Sequence, residues 1–200
     1  MGMNSQLLFV YGSMTEGMVH FDKIKDFIVS STPAVANGSI FRLKIGIPAM
    51  ALSGSDLIRG HLVELKTSEV LWHLLDSFFG FNQQDHEKSL YLREATNVLA
   101  NDKLMTAWVY VLPKDKIPAN AQLIPGGDWQ SSLKDQPPMF EKLNEKQKNY
   151  ILKLGASSGR EIIPIDMVLY RELMGLELIV DKGRRLALSR LGQELYRALK

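Results

Sequence analysis

The chain has 200 residues, 46% hydrophobic and 23% charged, a balance that suits one domain with a small appendage and excludes disordered, collagen-like and coiled-coil classes. It contains no cysteine, so disulfides, thiolate catalysis and cysteine-ligated zinc or iron–sulfur centres are excluded. A net charge of +2 gives no whole-chain case for nucleic acid, leaving only a local basic patch, and no apolar run approaches the ~18 residues of a membrane-spanning helix.

The opening MGMNSQLLFVYG lacks the basic region and long apolar stretch of a secretory signal, so a cytoplasmic protein is expected. From Gln6 to Val10 the sequence reads as a first strand, apolar enough to be buried on both faces. It stops at Gly12-Ser13. Between Met14 and Ser31, apolar residues at Phe21, Ile24, Phe27 and Ile28 predict a helix, which Thr32-Pro33 should end. Residues 33–46 read as a strand with Asn37-Gly38 as turn chemistry. GIPAMALSGSD (46–56) reads as an irregular crossing, and IRGHLVEL (58–65) alternates as a strand. TSEVLWHLLDSFF (67–79) predicts a helix capped by Thr67 or Ser68, with Leu71, Leu74, Leu75 and Phe78 on one face. SLYLREATNVL and KLMTAWVYVL are two more strands, joined through Ala100-Asn101-Asp102-Lys103. About five strands and two helices make a compact α+β unit.

A Pro/Gly-rich stretch follows from Pro113, and Pro137-Pro138 is the sharpest boundary signal in the chain. The expected organisation is therefore a domain over 1–136 and a mainly helical extension over 137–200. In the extension, helical segments begin near Asn144 and Pro164, a hairpin is expected around Lys182-Gly183, and a last helix starts at Arg190. Leu173 to Gly192 resembles the wing end of a winged-helix module, with Lys182, Arg184, Arg185 and Arg190 as a basic patch sufficient for a few phosphate contacts. The preceding helix lacks the Arg/Asn/Gln cluster of a groove-reading element.

The most informative segment is the first strand running into Tyr11-Gly12-Ser13-Met14-Thr15-Glu16-Gly17. Such a turn exposes backbone N–H groups, which bind carboxylates and anions. LFVYGSM resembles the opening of the gamma-glutamylcyclotransferase-like family (the avirulence-induced-gene-like fold). Further pieces fall in that family's order: Gly38 with Phe41 and Leu43, Gly46-Ile47-Pro48-Ala49, Arg59-Gly60-His61 through Leu65, Leu75-Asp76, Tyr91-x-Arg93, and Ala107-x-Val109-Tyr110-Val111. The resemblance covers about residues 7–135.

It implies a small mixed β-barrel with packed helices, needing neither cofactor nor metal. The implied reaction releases 5-oxoproline from a gamma-glutamyl compound: the substrate's own α-amine attacks its γ-carbonyl. The protein then has to supply a folded-back pose, an oxyanion contact and one proton shuttle. By this resemblance Tyr11, Gly12, Ser13, Met14 and Tyr91 bind substrate. The family's acid is a Glu just before a Gly, where this chain reads Leu75-Asp76-Ser77-Phe78-Phe79-Gly80. Phe79 cannot move a proton. Either another group has taken over, Asp85, His86 and Glu87 being the candidates with Asp128 behind them, or the protein does not perform the cyclotransfer. Asp76 reads as a helix cap. The histidines His20, His61, His73 and His86 lie on different elements and show no metal-ligand spacing. The alternative function is a non-catalytic binding or regulatory protein whose winged-helix-like region contacts protein or DNA. A homo-oligomer is compatible with either reading.

Overall fold

A computed structural model describes residues 6–134, 136–158 and 161–200. Two compact units divide it, one of Met1–Leu43 with Ile47–Lys134, the other of Lys44–Gly46 with Asp135–Lys200. No described helix is long and apolar enough to cross a membrane.

The first unit is an α+β barrel. Strands β1 (Gln6–Tyr11), β2 (Ile28–Arg42), β3 (Pro48–Leu65), β4 (Leu92–Ala100) and β5 (Lys103–Val111) run in the order β3-β1-β5-β4-β2, and β2 returns to β3 to close the ring. β1 and β5 pair in parallel, with Leu8 opposite Trp108; the other pairings are antiparallel. A two-residue β6 (Gln122–Leu123) adds to β2. Side chains alternate across a strand. Phe9 and Tyr11 therefore join one core with Ala107, Val109 and Val111. Leu8 and Val10 join a second core with Tyr110 and with Leu71 and Leu75 of helix α1 (Glu69–Phe79). This is why β1 reads as apolar without alternation.

Three local expectations are corrected. The stretch 14–31 holds no α-helix, only single 3₁₀ turns at Gly12–Met14, Phe21–Lys23 and Lys25–Phe27. Phe21, Ile24 and Phe27 repeat every third residue, which is the 3₁₀ period and not the α period, and Gly17 at φ +80° takes the chain out of the helical range. Thr32-Pro33 ends nothing: both lie within β2, whose first residues, Ile28-Val29-Ser30-Ser31-Thr32, are rich in β-branched side chains. Asn37-Gly38 and, from Pro48 onward, the expected crossing at 46–56 are also strand. Gly38 pairs with Asp56 while Ser39 pairs with Ala51, so residues 52–55 bulge from β3 without ending it. The β4–β5 hairpin turns at Asn101 and Asp102, both at positive φ, a conformation that Asn and Asp tolerate best among residues with a side chain.

After β6 comes α2 (Trp129–Leu133), capped by Asp128. The second unit contains α3 (Met139–Lys142), α4 (Glu145–Ala156), α5 (Met167–Gly175), the hairpin β7 (Ile179–Asp181) and β8 (Leu186–Leu188), and α6 (Arg190–Leu199). Asn144 and Gln147 form a reciprocal capping box at the start of α4, and the Gln147 amide donates to Glu172 of α5 at 3.0 Å. Ser189 caps α6. Its Gly192 lies so close to the Leu178 carbonyl that a Cβ would come within 1.9 Å of the oxygen.

Candidate ligand site

The site begins where β1 ends. Tyr11 is buried: its hydroxyl donates to the Tyr110 carbonyl at 2.8 Å and accepts the Met50 N–H at 3.1 Å. Burial pushes this phenol well above the usual tyrosine range. Its side chain thus fixes the end of β1 between β5 and β3. Gly12 follows at φ +59°, and the Pro48 ring lies where a side chain would be, 2.2 Å from an ideal Cβ to Cγ. Both the hydroxyl and the N–H of Thr15 donate back to the Gly12 carbonyl, at 2.7 and 3.2 Å. Among the described residues, the N–H groups of Ser13 and Met14 take part in none of the turn and loop backbone bonds. Met14 points its side chain into the core against α1. Ser13 is half-buried, and its Oγ lies 2.9 Å from Nδ1 of His20.

The helix α1 supplies a second set of groups. Ser68 caps its start by accepting the Leu71 N–H, Leu71 and Leu75 bury its inner face, and Gly80 at φ +65° ends it. Phe78 and Phe79 thereby meet edge to face at 5.0 Å. Phe78 takes the His20 ring on its edge at 4.8 Å. Phe79 stacks on Tyr110 and meets Tyr91 at 5.4 Å. Position 79, where the resemblance expects a carboxylate, is the centre of an aromatic cluster.

One turn earlier, Asp76 is not a helix cap. Its carboxylate accepts the Tyr110 hydroxyl at 2.5 Å and pairs with Arg93 at 3.2 Å, both charged side chains being mostly buried. Arg93 lies over Trp72 at 4.8 Å and Phe81 at 5.2 Å. Burial first, and the Asp76 carboxylate second, drive the Tyr110 phenol far above the tyrosine range.

The sequence candidates for an acid sit elsewhere. Asp85 starts the turn at His86–Lys88: it accepts the Lys88 N–H and pairs with the Lys88 ammonium at 2.6 Å, which holds its carboxyl below the usual range. Glu87 is exposed, and its carbonyl accepts from Lys116. Asp128 accepts the N–H and hydroxyl of Ser131 and pairs with Arg59 at 3.1 Å; the Ser131 N–H leads in lowering its carboxyl. Among the described residues, no hydrogen bond or ion pair joins Asp85, Glu87 or Asp128 to Gly12–Met14. Sequence reading passed over His20, seven residues after Ser13, because it looked for a proton carrier only downstream of position 79 and weighed His20 only as a metal ligand. It also missed Tyr110 as the partner of Asp76. The usable signal was the spacing of Asp76 and Phe79, three apart and so on one helix face.

Residues 8–131 match the family described as gamma-glutamyl cyclotransferase, AIG2-like. No curated protein matches the sequence. Among solved structures, the chain is similar to YkqA from Bacillus subtilis (23% identity, TM-score 0.49), over 70% of this chain and 44% of that one. It is also similar to an AIG2-like protein from Mus musculus (16% identity, TM-score 0.44, 57% and 80% covered). A third is the Arabidopsis thaliana protein At3g28950.1 (19% identity, TM-score 0.46, 82% and 94% covered). The chain thus spans under half the length of the Bacillus protein.

Proposed function

The chain belongs to the AIG2-like gamma-glutamyl cyclotransferase family, and from that premise we propose that it binds a small gamma-glutamyl, amino-acid-like compound at the Tyr11–Met14 turn and releases 5-oxoproline from it. The observation that carries the reading is the seating of the turn. Pro48 and Thr15 fix Gly12 from two sides, and the Ser13 and Met14 N–H groups follow the end of a buried strand. Those N–H groups and the Ser13 hydroxyl suit a carboxylate or a developing oxyanion. Tyr91, whose ring meets Phe79, bounds the same aromatic cluster and is the remaining residue proposed to touch substrate.

The chemistry demands little of the protein. The nucleophile is tethered to the electrophile, and holding the substrate folded back replaces a bimolecular encounter by an intramolecular one. No metal and no cofactor enters this reaction, and the proposed setting is the cytoplasm. Without a carboxylate at position 79, and with no other group moving the proton, the rate against ordinary gamma-glutamyl amino acids would be low, since a general acid–base is worth about 10²–10⁴-fold.

The test is a panel of gamma-glutamyl compounds, with binding measured by calorimetry and 5-oxoproline by mass spectrometry. Saturable binding of at least one compound is expected, weakened when Gly12 is replaced by Ala. A panel with no binder overturns the reading.

A further inference from the structure

We propose that His20 moves the proton in 5-oxoproline release, acting through the Ser13 hydroxyl in place of the carboxylate that position 79 lacks. The proposal rests on the ligand reading above and adds the proton route to it.

His20 is a polar residue with 3% of its surface exposed. Two hydrogen bonds fix it to Ser13: Nδ1 lies 2.9 Å from Oγ, and the His20 N–H donates to the Ser13 carbonyl at 2.9 Å. The ring is thus oriented on the hydroxyl by side chain and backbone together. Its edge contact with Phe78, which touches Phe79 in turn, puts the imidazole two ring contacts from position 79. The carboxylate nearest to Phe79 in sequence, Asp76, is bound by Tyr110 and Arg93.

An imidazole can both take and return a proton, as a shuttle must. Among the described residues, the charged groups placed near it are these. The Lys23 ammonium lies 4.9 Å over the Phe78 ring. Asp22, on the turn that follows His20, pairs with Lys25 at 2.8 Å. From α1, Asp76 is directed to Tyr110 and Arg93; from the ligand turn, Ser13 is the contacting group.

The step balances without a co-reactant. The neutral α-amine of the substrate attacks the γ-carbonyl carbon and a new C–N bond forms. The amine proton passes to Ser13 Oγ as the hydroxyl proton passes to Nδ1 of His20. The C–N bond to the leaving amine then breaks, and the proton returns from Nδ1 through Oγ to the leaving nitrogen. The products are 5-oxoproline and the free amine. His20 is here a positioning and proton-holding residue for Ser13; Ser13 is the group that touches substrate.

The experiment uses the full chain and L-γ-glutamyl-p-nitroanilide, followed by nitroaniline absorbance and 5-oxoproline mass. His20→Gln keeps a hydrogen-bonding side chain beside Ser13 but cannot hold a proton. Expected are a fall in kcat of about 10²–10⁴-fold, a KM and calorimetric Kd close to the parent, and loss of the acidic limb of the pH–rate profile. Ser13→Ala, which removes only a hydroxyl, should lose kcat to a similar degree should His20→Gln fail to fold by circular dichroism. A purely structural His20 would lower the melting temperature and leave the limb in place. Either folded variant retaining the parent kcat and limb overturns the proposal. Binding of the probe without release by the parent protein also overturns it and leaves the ligand reading standing. Absence of binding removes both.

Discussion

The Phe79 ring lies face to face on the Tyr110 ring, centroids 4.2 Å apart and planes 9° from parallel. That contact places the end of α1 on β5, and the Tyr110 hydroxyl extends it by donating to Asp76 one turn back. Position 79 therefore does packing work where the resemblance expects proton chemistry. An aromatic pair of this kind is worth about 0.5–1.5 kcal/mol beyond its buried area, so Phe79 ties the helix to the barrel.

Phe79→Glu tests the trade directly. A carboxylate at this position should raise the rate of 5-oxoproline release about 10²-fold, the lower end of what a general acid–base supplies. The lost stacking should lower the melting temperature. Both are read on one preparation, by mass spectrometry and thermal unfolding. A folded variant with an unchanged rate would mean that position 79 does not face the reacting bond.

The Asp76–Arg93 pair is mostly buried, and breaking one side of such a pair is costlier than removing both. Arg93→Met should therefore cost about 3–5 kcal/mol, because Asp76 keeps only Tyr110 as partner and the contacts over Trp72 and Phe81 are lost as well. The double variant Asp76→Asn with Arg93→Met should recover part of that loss. Urea unfolding of the four proteins gives the coupling directly; additive losses would show that the pair is not energetically linked.

The strands and their faces were legible because their residues follow burial: β1 is apolar on both faces, and the β4–β5 turn carries Asn and Asp. What was not legible depends on registers set far away in sequence. Ile28 to Pro33 could be read as helix end or as strand, and only pairing with β3 decides it. The 46–56 stretch looked irregular since its bulge interrupts the alternation that marks a strand. At the proposed site, the Tyr11–Met14 turn was visible as a motif and Phe79 as a departure from the resemblance. The His20–Ser13 bond was not, because the expected α-helix is absent and the chain between them runs through single turns of three-residue period, in which a spacing of seven marks no shared face. The Asp76–Tyr110 bond joins residues 34 apart, beyond any local pattern.

Tyr11 and Tyr110 predict a sensitivity to alkali. Both phenols are held protonated by burial, with Asp76 adding to the effect on Tyr110. Below the unfolded tyrosine value, about 10, both states keep their protons and the full stability is present. Above it the unfolded chain releases protons that the folded one retains, so stability falls as pH rises, by about 1.4 kcal/mol per pH unit for each phenol. Urea midpoints between pH 9 and 11 should decline accordingly. Tyr110→Phe should reduce that slope while lowering stability at neutral pH through the lost bond to Asp76. A slope identical in the two proteins would mean that Tyr110 does not govern the response.

The seating of Gly12 gives the sharpest steric test. Two penalties coincide there: a φ of +59°, which a side chain disfavours, and the Pro48 ring, with Cγ 2.2 Å and Cβ 2.8 Å from an ideal Cβ. Gly17 is the internal comparison, at φ +80° with nothing within 4 Å. Gly17→Ala should therefore cost only the conformational part, about 1 kcal/mol. Gly12→Ala adds overpacking against a ring that cannot rotate away, typically about 1–3 kcal/mol more, and should also displace Ser13 from the ligand. Pro48→Gly removes the ring, so in that background Gly12→Ala should fall back toward the Gly17→Ala cost. Denaturation midpoints of the variants measure the stability side, and calorimetry with a bound gamma-glutamyl compound measures the site. Equal costs for Gly12→Ala and Gly17→Ala would show that Pro48 does not hold the turn. A stable Gly12→Ala that binds as the parent does would place the ligand away from Tyr11–Met14.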